Sequence, residues 1–244
     1  MCNVCLAKEM SATGMGATGM SRRLFVGAGA GMLAAAPMIG TAQAQPAREA
    51  ATPDAALKLL VEGNARYASG KLNERDFSAT RAARVQGQKP FAAILSCADS
   101  RVAPELAFDR GPGELFVVRV AGNFVSPDGL ASLEYGAAVL GTKVIMVLGH
   151  TSCGAIGATI QALQKGNDFP SAIAGLVTAM KPGIESVMKT PGTDLEQRAV
   201  VANVRYNVQR LIAAKPILAD MIAAGKLRVV GGFYNLATGK VEMV

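Results

Sequence analysis

The chain has 244 residues, enough for one domain with a substantial core plus an appendage. Half of them are apolar, 5% are aromatic and tryptophan is absent, so the core rests on Ala, Val, Leu and Ile and a disordered chain is excluded. The formal charge is +7, but the basic clusters (Arg81 with Arg84, Lys226 with Arg228) are short and lack interleaved aromatics, which argues against nucleic-acid binding.

Residues 1–44 read as an export signal. The paired arginines Arg22 and Arg23 precede Leu24 and Phe25, a Gly/Ala-rich apolar run follows, and the stretch closes on Ala42-Gln43-Ala44. A charged segment, an apolar segment and a small-x-small cleavage site, in that order, read as a secretory signal, and the paired arginines make it a twin-arginine one. The expected partner is the twin-arginine translocase and the expected location is the periplasm. The run is short for a membrane span and is interrupted by Pro37 and Thr41, so no stable membrane anchor is expected. Losing this segment removes Cys2 and Cys5, a lone CxxC and therefore a weak metal signal. Cys97 and Cys153 remain, and two cysteines in an oxidising compartment ordinarily form one disulfide.

An Ala/Pro-rich linker (45–53) leads into residues 54–244. "DAALKLLVEGNARYASGK" reads as an amphipathic helix with Asp54 as N-cap and Leu57, Leu60, Val61, Ala65 and Tyr67 near the helical period. Three apolar runs follow, at 91–97, 115–120 and 143–149, each of strand length and near-continuous, as in strands buried on both faces. Helical stretches are predicted at 129–140, 154–165, 171–189 and 195–213. A late strand is predicted at 227–235, and "GKVEMV" adds an edge strand through a turn at Thr238-Gly239. This alternation predicts an α/β domain with a mainly parallel central sheet of four to five strands flanked by helices.

Cys97 and His150, the one histidine of the chain, each end a predicted strand. Open parallel sheets bind ligands at those ends, so "SCADSR" (96–101) and "GHTSCGA" (149–155) can meet. Two thiolates and an imidazole are ligands that Zn²⁺ favours, with a fourth position for water or a carboxylate such as Asp99. On spacing alone this ranks behind a disulfide or a pair of buried free thiols, and a sole histidine is often a satisfied core residue. Asp99 and Arg101 by themselves read as an i,i+2 ion pair on a surface turn.

"CADSR" and "GHTSCGA" together resemble the β-class carbonic anhydrases. The resemblance continues through "SRVAPELAFDRGPGELFVVRVAGN" (100–123), "LASLEYGAAVLGTKVIMVLGHTSCGA" (130–155) and "GFYNLATGKVEMV" (232–244), covering almost all of 54–244. It implies one zinc held by Cys97, His150 and Cys153, and the reversible, zinc-hydroxide-mediated hydration of CO₂ to bicarbonate and a proton. It further implies that Asp99 accepts a hydrogen bond from the zinc-bound hydroxide while Arg101 holds Asp99. If Arg101 lets go, Asp99 becomes the fourth metal ligand in a closed, inactive state. Gln88, Phe116, Ala121, Tyr135 and Gly154 match positions lining the family's small substrate pocket. Part of that pocket comes from a second subunit, so a homodimer or higher homo-oligomer is implied. A CS₂ or COS hydrolase on the same fold, a non-catalytic exported zinc-binding protein and a secreted binding protein with a Cys97–Cys153 disulfide are the alternatives.

Overall fold

The computed structural model describes residues 50–79, 81–166 and 168–244; the export-signal reading and most of the linker lie outside the described residues. The helices are α1 (Pro53–Ala68), α2 (Arg81–Arg84), α3 (Pro104–Ala107), α4 (Pro127–Ala138), α5 (Gly154–Lys165), α6 (Ser171–Met188), α7 (Leu195–Ile212) and α8 (Ile217–Ala223). The strands are β1 (Ala92–Ser96), β2 (Leu115–Arg119), β3 (Val144–His150), β4 (Arg228–Tyr234) and β5 (Val241–Met243).

They form one sheet in the order β2-β1-β3-β4-β5. The pairs among β1 to β4 are parallel, and β5 pairs antiparallel with β4 as its edge partner. The mainly parallel sheet expected from the sequence is the one that forms. β1 lies between β2 and β3, so the chain leaves it on one side and returns on the other. That reversal opens a crevice at the carboxyl ends of β1 and β3, where ligands bind in open α/β sheets.

β1 and β3 are buried along their whole length, which is why their sequences do not alternate. Ala92, Ile94, Val144, Met146 and Leu148 pack with Ala56 and Leu60 of α1 in one cluster. Their neighbours Ala93, Leu95, Ile145 and Val147 join Leu133 and Ala137 of α4 and Val204 and Leu211 of α7 in a second. Each fully buried large aliphatic side chain contributes about 1.5–3 kcal/mol by leaving water. A third cluster, including Phe124, Ile156, Met180, Ile184, Val200 and Phe233, encloses Cys97 and Cys153.

Helix limits depart from the sequence reading where capping decides them. Thr52, not Asp54, is the N-cap of α1: its Oγ1 accepts the Ala55 N–H at 3.2 Å. Pro53 suits the first helical position, having a fixed φ and no N–H, so the cap falls one residue before it. Asp54 sits in the first turn and pairs with Arg228 at 2.7 Å. Likewise α4 begins at Pro127 because Ser126 Oγ accepts the Gly129 N–H at 3.1 Å. α2, α3 and α8 were not anticipated; at four, four and seven residues they are too short to display a helical period. α6 continues through Pro182, which costs a helix interior about 3 kcal/mol. Burial of Val177, Met180 and Ile184 offsets it. Among the described residues no helix is long and apolar enough to cross a membrane.

Candidate metal centre

Cys97 follows β1 directly, His150 ends β3, and Cys153 is the residue before the first turn of α5. The β1–β3 register sets Ser96 opposite Leu148, so Cys97 and His150 emerge at the same end of adjacent strands. Ser152, at φ +54, turns the chain back so that Cys153 joins them. All three side chains are buried, and their ligand atoms lie within 4.8 Å of one another. The two sulfurs are 4.0 Å apart and no disulfide joins them.

The orientation of His150 is decided by its neighbour: Nδ1 pairs with the Thr151 carbonyl at 2.9 Å and therefore carries the proton. That leaves Nε2 as a bare lone pair, buried and with no hydrogen-bond partner. An orphaned imidazole nitrogen facing two thiols is a costly arrangement for an empty core and a natural one for a metal. Two sulfurs about 2.3 Å from one tetrahedral zinc stand roughly 3.8 Å apart, close to what is observed. The donor set fits Zn²⁺.

The Cys97 thiol is pushed far below the ordinary thiol range, first by its hydrogen bond with Cys153 and further by the Gly122 N–H at 3.3 Å. Beside the cluster, Arg101 grips Asp99 in a fork: Nε to Oδ1 at 2.9 Å and Nη2 to Oδ2 at 2.7 Å. The Arg101 backbone N–H adds a bond to Oδ1 at 2.9 Å. These bonds hold the Asp99 carboxyl well below the usual carboxylate range, so it is ionised at any neutral pH. Arg101 Nη2 also donates to the Ser152 carbonyl at 3.1 Å, tying the Asp99 loop to the Cys153 loop. Asp99 Oδ2 stands 3.9 Å from His150 Nε2, beside the metal ligands but outside their group.

The five pocket positions are less concentrated. Gly154 opens α5 next to Cys153 and is exposed, with nothing within 4 Å of where a Cβ would stand. Ala121 is half-buried and adjoins Gly122. Phe116 and Tyr135 meet each other, ring centroids 6.4 Å apart, and Phe116 packs against the second core cluster rather than the one holding the cysteines. Gln88 is exposed on the segment before β1.

Sequence reasoning missed Arg119. Its Nε donates to the Cys97 carbonyl at 3.1 Å, and its Nη2 to the carbonyls of Asp99 at 2.7 Å and Val102 at 2.8 Å. It splints the loop that carries the ligand and the carboxylate. A cation closing an apolar strand was the available signal.

A sequence model of the family described as carbonic anhydrase matches residues 92–241. The carbonic anhydrase of Mycolicibacterium smegmatis is 38% identical over 192 residues, 78% of this chain and 93% of the relative. Among solved structures, the Coccomyxa β-carbonic anhydrase in complex with acetazolamide superposes with a TM-score of 0.60 at 30% identity, covering 77% of this chain and 86% of that one. The tetrameric β-carbonic anhydrases of Sordaria macrospora share the fold, with a TM-score of 0.60 at 24% identity over 68% of this chain and 86% of theirs.

Proposed function

The chain belongs to the β-class carbonic anhydrases, zinc-dependent lyases that hydrate CO₂ reversibly, and from that premise we propose how its residues divide the work. Cys97, His150 and Cys153 hold the metal, which when bound supplies the Lewis acidity that makes a water molecule nucleophilic at neutral pH. The observation that carries this reading is the unpartnered, buried His150 Nε2 facing two free thiols, with a clamped carboxylate beside it.

Asp99 is the catalytic residue of the second rank of atoms. Its Oδ2, ionised and fixed by Arg101, is an acceptor only; it takes a hydrogen bond from the reacting water and directs the remaining lone pair toward the carbon of CO₂. Arg101 positions Asp99 and keeps it off the metal. Arg119 keeps the Asp99 loop in register with Cys97. The third core cluster keeps bulk water from the sulfurs. Gly154, with open space beside it, leaves room for a small linear substrate at the mouth.

Zinc-loaded wild type should hydrate CO₂ in a stopped-flow indicator assay. Asp99→Asn should retain its zinc, because all three ligands remain, yet turn over about 100-fold or more slower. Near-normal turnover in that variant would reduce the Asp99–Arg101 pair to a structural role.

The working protein is exported and oligomeric in this reading. Export rests on the Arg22-Arg23 signal and the Ala42-Gln43-Ala44 site. The twin-arginine route carries folded proteins, so metal enters while Cys97 and Cys153 are still thiols, and it protects them outside. Association rests on the exposed Leu72, Phe77 and Val85, the last 80% exposed, on the segment that also carries Gln88. A second copy covers these residues and brings Gln88 to a pocket. Lysine in place of both Arg22 and Arg23 should leave the precursor in the cytoplasm. The exported protein should begin near Gln45 and sediment as two or more chains. Export that persists with the twin-arginine pathway blocked, or a monomeric mass, would remove the corresponding half.

A further inference from the structure

The Gly122 N–H that reaches the Cys97 sulfur at 3.3 Å belongs to a turn, closed by the Asn123 N–H on the Val120 carbonyl at 2.9 Å. Gly122 has φ +82, and a Cβ there would stand 2.1 Å from Met180 Sδ, so this position accepts only glycine.

The turn is gripped from α7. Asn203 Nδ2 donates to the Gly122 carbonyl at 2.9 Å, and Asn203 Oδ1 accepts from Asn207 Nδ2 at 3.1 Å. Asn207 Oδ1 in turn accepts the Val125 N–H at 2.8 Å, and Arg210 Nη1 donates to the Val125 carbonyl at 2.7 Å. Asn203 and Asn207 are 0% and 1% exposed. Four residues apart, they lie on one face of the helix. Two amides on a buried helix face are costly unless bonded, and the long-range bonds these make all go to the 122–125 segment.

We propose that Asn203 is a positioning residue for the metal centre: by holding the Gly122 carbonyl it keeps the Gly122 N–H on the Cys97 sulfur, and so sets the direction and donor strength of that thiolate toward zinc. The Gly122 carbonyl shares one rigid peptide plane with the Asn123 N–H that closes the turn on the Val120 carbonyl, so fixing that carbonyl holds the turn that aims the Gly122 N–H at the sulfur. An N–H on a thiolate draws charge from the sulfur and orients its lone pairs. The inference rests on the zinc reading above and extends it to a helix that supplies no ligand.

The test is Asn203→Asp, which removes the donor and keeps the size. In competition with a chromophoric chelator its zinc dissociation constant should rise about 10- to 100-fold. In the cobalt-substituted protein the sulfur-to-cobalt charge-transfer band should move to longer wavelength, because a thiolate that has lost a hydrogen bond gives up an electron more easily. Val208→Ala, on the same helix but packed against the second core cluster, should lower thermal stability and leave both readouts unchanged. Should Asn203→Asp fail to fold, the wild type decides: with a magnetically active cadmium isotope bound, the Gly122 amide proton should couple to the metal through the Cys97 sulfur. A folded Asn203→Asp with unchanged zinc affinity and cobalt band, or absence of that coupling, overturns the proposal. Wild type that takes up neither zinc nor cobalt overturns instead the metal reading beneath it.

Discussion

Replacing His150 with alanine is expected to abolish zinc binding and CO₂ hydration together. The imidazole is fully buried, and its Nε2 is the one neutral donor aimed at the two sulfurs. Without it the site keeps two thiolates and loses its third corner. The outer partners of a metal ligand are each worth about 10- to 100-fold in affinity, so loss of a ligand itself should exceed that. Metal analysis of the purified variant beside wild type, followed by the hydration assay, reads both effects. A fully zinc-loaded, fully active His150→Ala would remove His150 from the centre. Asp99→Asn supplies the contrast, because there metal and activity should separate.

Stripping the metal under oxidising conditions should close a Cys97–Cys153 disulfide and inactivate the protein. The sulfurs stand 4.0 Å apart with no other cysteine among the described residues. A disulfide needs about 2.05 Å, so a small movement of the Cys153 loop completes it. Two thiols lose two protons and two electrons to dissolved oxygen in the step. Cys97 is the reactive partner: its hydrogen bonds with the Cys153 sulfur and with the Gly122 N–H hold its pKa far below the ordinary thiol range. A lowered pKa means that the thiolate, and with it the oxidation, persists as the pH falls well below the range where a free cysteine becomes inert. Zinc alone should not restore activity, whereas zinc with a reductant should. Thiol titration with peptide mapping should find Cys97 and Cys153 both free in the metal-loaded protein prepared without residues 1–44, and neither free after chelation. A disulfide already present in fully active protein would sink the shared-metal assignment and the protective role of folded export.

The two elements that made the centre legible were local. Cys97 and His150 end apolar runs of strand length, and a strand buried on both faces announces itself as such a run. The parallel pairing followed because parallel strands need crossovers, and helical periods fill the intervals between the runs; the order β2-β1-β3-β4-β5 did not. The Asp99–Arg101 fork was readable too, since i,i+2 across a turn is a contact the backbone permits without help from the rest of the fold.

Other features were set by neighbours distant in the chain. The link from Asn203 to Gly122 to Cys97 spans three elements, and no periodicity marks an asparagine as a partner for a glycine in another element. Arg119 reads as a solvated strand end until the fold brings the Cys97, Asp99 and Val102 carbonyls around it. Phe116 and Tyr135 pair with each other because β2 and α4 pack there. The sequence by itself determined the architecture, because burial pattern is a property of each short segment, and it pointed to the ligands through the resemblance of two short motifs, since donor type and spacing alone left a disulfide open. Only the tertiary structure decided which backbone groups and amides surround those ligands, because a hydrogen bond across elements depends on where distant segments come to lie.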